Sequence, residues 1–238
     1  MRHLVVGALI GIFAGLAIAF PPAALAAAVG VAAVGVAAVG GEPSAEDGAY
    51  FRRLEPHMAT AGLRLEEATL ESAMRRLGTV ERKDWLKGTK APFICYVGPD
   101  GTRLGLGFGT SEGLLVLTRF ELAASGANLE YVPNYTIAEA DRPRCVPVMK
   151  LAGETSGRLR LGMTRAEVNT LLGKENGGAG EDSWSYSGSV KLELSPAQAD
   201  ILREAGVPPE DFFVERELRL EFKKDRLVAI RVRQVTRG

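Results

Sequence analysis

Leu159–Gly173, LRLGMTRAEVNTLLG, most narrows what this 238-residue chain can fold into, because a helix start, face and stop follow one another there. Thr164 and Glu167 form a T-x-x-E capping box, in which each side chain satisfies the backbone N–H of the other residue. Met163 before the cap and Val168 in the first turns are placed as a hydrophobic staple. Val168, Leu171 and Leu172 recur at i, i+3 and i+4, which gives one apolar face, and Gly173 supplies the stop. Strand-like segments follow: Trp184-Ser185-Tyr186, then Leu218-Arg219-Leu220-Glu221-Phe222, a short turn, and Leu227–Val235.

This order of LGMTxxEVxxLLG, an aromatic W-x-Y strand and a closing hairpin resembles the small BamE/SmpA-like domain, whose fold is shared by the tandem-domain β-lactamase inhibitor proteins. The resemblance covers about Leu159–Val235 and extends less closely to Leu63–Leu122. It implies an α+β fold with helices packed on an antiparallel sheet. It also implies a binding module without catalytic residues, acting in envelope or outer-membrane assembly. Trp184 and Tyr186 then belong to the core strand of the pattern, while as aromatics they are also candidate partner anchors.

The N-terminus sets the expected compartment. Met1-Arg2-His3 precedes the charge-free run Leu4–Phe20, then Pro21-Pro22 and Ala24-Leu25-Ala26. A basic start, an apolar core and a small-x-small ending describe a cleavable secretory signal over residues 1–26, with a periplasmic or secreted product. The alternative is an uncleaved anchor in the inner membrane through residues 4–41. Ala27–Gly41 is weakly apolar and glycine-rich, a poor spanning helix by itself. Bacterial members of the resembled family are lipoproteins, but no Cys follows the small residues here, a departure that argues against outer-membrane tethering. Glu42–Gly48 reads as a polar linker, so residues 27–48 are expected to lead into the folded region. Its two parts are expected at 49–150 and 151–238.

In the first part, Thr69–Gly78 reads as a helix capped by Thr69, with Leu70, Ala73, Met74 and Leu77 at helical spacing. Pro92–Val97 reads as a strand, Gly98–Gly101 as a tight turn, and Leu104, Leu106 and Phe108 alternate with glycines before the apolar run Leu114–Leu122. Leu218-x-Leu220-x-Phe222 with its following strand mirrors Leu104-x-Leu106-x-Phe108 with its own. The sequence therefore suggests two degenerate copies in tandem, each a helical layer on an antiparallel sheet. Thr69/Ser72 lacks the acid of Thr164/Glu167, and one unrepeated α+β domain is the competing reading. Ser195–Gly206 reads as an inserted helix.

With 29 basic and 29 acidic residues the formal net charge is zero, so no field steers nucleic acid and no nucleic-acid partner is expected. Cys95 and Cys145 are expected to pair in an exported protein; in a cytoplasmic one they would be separate buried thiols. His57 stands without H-E-x-x-H, a Cys/His cluster or a carboxylate triad and reads as a surface or helix-packing residue. A pocket around His57, Asp100 or Glu112 is what an enzyme reading would need. No catalytic residue, metal or cofactor is expected. Gly105-Leu106-Gly107-Phe108-Gly109 reads as a strand with glycines on one face, not as a nucleotide loop. Asn134-Tyr135-Thr136 is a glycosylation triplet of the kind that occurs by chance. On the last strand, Ala229, Arg231 and Arg233 alternate with Val228, Ile230 and Val232. With Arg226, these arginines are candidates for binding an acidic partner or anionic lipid. Alternatively, Glu217, Arg219 and Glu221 pair across them and make a solvated face. The partner expected is an envelope protein or peptide; an enzyme bound by an inhibitor is the alternative.

Overall fold

The computed structural model describes residues 43–86, 92–111, 113–130, 138, 141–209 and 212–237. The expected signal or anchor, most of the tract before position 43, the triplet at Asn134 and Glu112 lie outside these residues. Among the described residues the elements are α1 (Ala45–Leu54), β1 (Ala59–Thr60), β2 (Leu63–Arg64), α2 (Leu70–Leu77), β3 (Phe93–Val97), β4 (Arg103–Ser111), β5 (Leu114–Ala123), β6 (Cys145–Pro147), α3 (Arg165–Leu172), β7 (Gly177–Gly180), β8 (Ser183–Lys191), α4 (Pro196–Glu204), β9 (Phe213–Lys223) and β10 (Arg226–Arg237). The fold is α+β, as the sequence suggests. Among the described residues no helix is long and apolar enough to cross a membrane.

Eight strands form one sheet in the order β6-β3-β4-β5-β10-β9-β8-β7, antiparallel except where β6 runs parallel to β3. The first meander, β3–β5, meets the second, β8–β10, through an antiparallel ladder between β5 and β10. Side chains alternate across the sheet, so paired residues share a face. One face carries Tyr96, Leu104, Leu122, Ile230, Leu220 and Trp184 in a single row, and Ile94, Leu106, Phe120, Val232, Leu218 and Tyr186 in the next. Most of these are fully buried and join residues of α2 and α3 in one hydrophobic cluster that spans both halves.

The two halves correspond closely on this core side. Thr69 and Thr164 each cap a short helix and each bridge the start of the last strand of their own half, at Val116 and Arg226. Ser72 takes the place of Glu167: its hydroxyl accepts the Thr69 N–H at 2.9 Å, so the capping box survives without an acid. Gly78 and Gly173 end the helices at positive φ, 108° and 77°, where a Cβ would be strained. Tyr96 on β3 donates its hydroxyl to the Gly78 carbonyl at 2.8 Å, and Tyr186 on β8 donates to the Gly173 carbonyl at 3.1 Å. A bulge falls at matching places: Phe108 faces Leu117 with Thr118 skipped, and Phe222 faces Leu227 with Val228 skipped. Under this correspondence Glu121 matches Arg231, and these two residues pair with each other in the β5–β10 ladder.

Two differences from the sequence reading stand out. The polar stretch read as a linker is the beginning of α1, where Ser44 and Asp47 form a capping box. Ser and Asp serve helix caps and turns equally well, so composition alone does not separate the two. α1 then crosses the second half rather than its own. It runs so close over β8 that a Cβ at Gly188 would collide with the backbone of Phe51 and Asp47. Tyr50 and Arg53 donate to the carbonyls of Lys174 and Leu172 at the end of α3, each at 3.0 Å.

Candidate functional site

The face of the sheet opposite α1, α2 and α3 is where the halves part. Its central row runs Cys145, Cys95, Gly105, Glu121, Arg231, Arg219, Ser185 and Gly177 across all eight strands. On the first half Cys95 and Gly105 of this row are small and buried. Cys95 and Cys145 form a disulfide across the β3–β6 pair. The Phe93 ring lies against Gly105, where a Cβ would collide with it, and the Arg119 guanidinium sits 5.1 Å from that ring. Ala123, Leu129 and Cys95 form a small apolar cluster of their own. The segment after β5 turns back over this surface, with Arg103 donating to the Ala127 carbonyl.

On the second half the same face is polar and half-exposed. Ser183, Ser185, Ser187 and Ser189 line one column on β8. Between β9 and β10, Arg231 donates to Glu221 at 2.8 Å, Arg233 pairs with Glu217, and Arg237 pairs with Glu215. Arg219 also turns to Glu217. The alternating arginines of β10 are thus matched by alternating acids on β9, which is the solvated-ladder alternative for this strand. They do not form a bare basic patch.

The other candidate residues fall in three places. Arg226 stands at the exposed turn and donates to the Gly162 carbonyl at 3.1 Å. Trp184 is half-buried on the core side, its ring 4.9 Å from that of Phe222. Tyr186 is fully buried and bonded to Gly173, which removes it from any accessible surface. Thr164 and Glu167 form their cap, with the Thr164 N–H donating to Glu167 at 2.7 Å.

His57 is not on the surface. It is 3 % exposed, its Nδ1 lies 2.9 Å from the Thr155 Oγ1, and Gly157 leaves room for the ring. Burial lowers its pKa to about 4. Asp100 is in the 98–101 turn, where it accepts from the Thr102 N–H and hydroxyl, each at 3.0 Å. Neither lines the small cleft at the seam, whose polar walls come from Arg119, Glu121, Glu130, Glu217, Arg219, Arg231 and Arg233. Among the described residues no three His, Cys, Asp or Glu side chains gather as metal ligands.

Glu121 is the residue at this seam that sequence reading passed over. It is 5 % exposed and accepts the Glu130 N–H at 2.7 Å. Its signal was present: Arg119 and Glu121 alternate with Phe120 and Leu122 at period two inside a run that looks uniformly apolar.

No protein-family model matches the chain, and no curated protein matches it. Among solved structures, a chain from Streptococcus mutans, named "putative beta-lactamase inhibitor protein", aligns over 83% of this chain and 99% of that one. The identity is 10% and the TM-score 0.21. A likeness at that score carries no argument about this chain's fold or role.

Proposed function

We propose that this protein is an exported, non-enzymatic binding protein of the bacterial cell envelope, which meets a protein partner through the serine and arginine face of its second half, opposite α1 and α3. One observation carries the reading: the segment 124–130 packs on that face of the first half, and the β8 serines on the second are half-exposed. The serine column of β8 and the paired arginines Arg231 and Arg233 offer donors and acceptors held on paired strands. Groups held in place by cross-strand ion pairs lose little freedom when a partner binds. The disulfide supports an oxidising compartment, periplasmic or secreted.

The matched caps, tyrosine bonds and bulges support a degenerate duplication, with BamE-like copies over 49–150 and 151–238 joined edge to edge. Two modules fused through β5 and β10 give a wider platform than either alone, which suits a scaffold in envelope or outer-membrane assembly. An inhibitor plugging an enzyme would use exposed aromatic anchors. Here Trp184 and Tyr186 face the core, which favours the scaffold.

The test is crosslinking in intact cells, affinity capture and mass spectrometry, run on the wild type and on Ser185→Arg/Ser187→Arg. Recovery of outer-membrane or cell-wall assembly proteins by the wild type and their loss in the variant is the expected result. Recovery of a single hydrolase moves the reading to an inhibitor. Equal recovery by both proteins places the binding surface elsewhere and overturns it.

A further inference from the structure

We infer that Arg219 and Arg233 form the point at which this face takes a carboxylate side chain of its partner. The inference rests on the binding role proposed above and names the chemistry that is recognised. In register, Ser187, Glu217, Arg233 and Arg119 stand side by side on β8, β9, β10 and β5. Arg233 and Arg119 are thus direct cross-strand neighbours of like charge, an arrangement that costs stability. Arg219, two residues along β9 from Glu217, reaches the same carboxylate: its Nε pairs with Glu217 Oε1, and the Arg233 Nε pairs with Oε2. One buried acid therefore holds two guanidiniums together, and a third, Arg119, lines the same cleft. An ordinary ladder gives each cation its own acid, as Glu215 does for Arg237 on the same two strands.

The acids that would complete the ladder are gathered elsewhere. Glu221 accepts from the Arg231 Nη2 at 2.8 Å, and Glu121 and Glu130 lie 3.6 and 3.3 Å from the Arg231 Nε. The seam thus has two poles, with three carboxyl groups on Arg231 and, beside them, arginines that outnumber Glu217. Solvent reaches the positive pole. The Glu217 side chain is 9 % exposed, whereas those of Arg219 and Arg233 are 40 % and 32 % exposed. Both arginines spend Nε on Glu217, and among the described residues neither has another hydrogen-bond or ion-pair partner. Each keeps its Nη hydrogens for a second acceptor, and the planar guanidinium matches the paired oxygens of a carboxylate. Because Glu217 already holds them in place, they lose little freedom on binding. The neighbouring column is small: Ser185 is the cross-strand partner of Arg219, and Ser187 that of Glu217. A partner's backbone can therefore close on β8 until an Asp or Glu side chain meets both arginines, and a bulky residue at 185 or 187 holds it off whatever its charge. The adjoining acid pole repels a phosphate dianion more strongly than a single carboxylate, which favours the carboxylate.

The measurement is fluorescence anisotropy of a labelled tetraglutamate peptide titrated with the disulfide-bonded protein, with a tetralysine peptide as its counterpart. The wild type should bind tetraglutamate and not tetralysine, more weakly at about 300 mM salt than at about 50 mM. Arg219→Gln/Arg233→Gln should weaken binding at least about tenfold, and Arg237→Gln, outside the cleft, should change it by less than about twofold. Ser185→Asp places a carboxylate opposite Arg219 and leaves the Glu217 pairs intact, so it should weaken the peptide by a similar factor. That variant decides the matter if the double substitution does not fold. Equal binding by the wild type and these cleft variants overturns the inference. Displacement of the peptide by an equal concentration of inorganic phosphate also overturns it, because the site would then prefer phosphate. A native dimer that parts on Arg219→Gln/Arg233→Gln makes a second copy the occupant and rejects a different partner. The broader reading is tested separately by photo-crosslinking from Ser187 in cells. Crosslinks that persist unchanged in Arg219→Gln/Arg233→Gln sink this inference alone, whereas their absence from the wild type sinks the binding face itself.

Discussion

Cys95, Gly105, Gly107 and Ala123 line the face of the first half opposite α2, and the corresponding rows of the second half read Ser185, Arg219, Glu217, Glu221 and Arg233. The opposite face is alike in both halves, down to the bulge and the tyrosine bonded to a helix-ending glycine. The contrast teaches where each surface is constrained. The core side must fit short helices to a twisted sheet, and only a narrow set of apolar shapes does so. The outer side is set by what lies on it. Small residues and a disulfide accept a covering segment, whereas serines and paired charges are stable in water.

The largest effect should come from the element found in one half alone. Cys145→Ser, or reduction of the native protein, is expected to cost about 4 kcal/mol by freeing a 50-residue loop in the unfolded chain. Urea unfolding with and without reductant measures it. Leu106→Ala and Leu220→Ala, both fully buried at matched positions, should each cost about 3 kcal/mol. Because one core spans both halves, each should move the same single transition. Two transitions that respond separately would break the picture of one shared sheet.

Two buried groups, His57 beside Thr155 and Glu121 at the seam, titrate with opposite sign. Buried neutral His57, with its pKa lowered to about 4 from 6.5, supports the fold fully above pH 6.5, and this support is lost as pH falls towards 4. Glu121 acts the other way: its contribution is complete below 4.5 and lost as pH rises through about 7. Each is worth about 3 kcal/mol, and between pH 4.5 and 6.5 they oppose one another. The wild type should therefore show nearly flat stability in that window. His57→Gln should leave a stability that falls with pH, and Glu121→Gln one that rises, as measured by denaturant melts across the range.

The smallest effects compare the matched caps and tyrosines. Thr69→Ala and Thr164→Ala should each cost about 1 kcal/mol, although one box closes with Ser72 and the other with Glu167. Tyr96→Phe and Tyr186→Phe should likewise cost about 1 kcal/mol each by thermal melting. A large difference within either pair would show that the correspondence is one of outline only.

The core side was readable from local signals. The Thr164 cap, the strand beginning near Phe93 and the alternating Leu104, Leu106 and Phe108 of β4 are all written within a few neighbouring residues. What depends on distant partners was not readable. Burial of His57 comes from Thr155 and Gly157, which arrive from the other half of the chain. Docking of α1 on β8 requires Gly188, more than a hundred residues away. The β10 arginines read as a basic patch or as half of a ladder, and their ion pairs with Glu217 and Glu221 depend on the register with β9. Glu121 was concealed by an apolar run, and its burial depends on Glu130 returning over the sheet.

The most direct test of the account places a photo-crosslinking amino acid at Ser187, on the open face of β8, and separately at Asn128, on the segment that covers the first half. Both proteins are expressed in full in intact cells. The account predicts a discrete crosslinked protein partner from Ser187 and none from Asn128. A partner captured from Asn128 and not from Ser187 would contradict it.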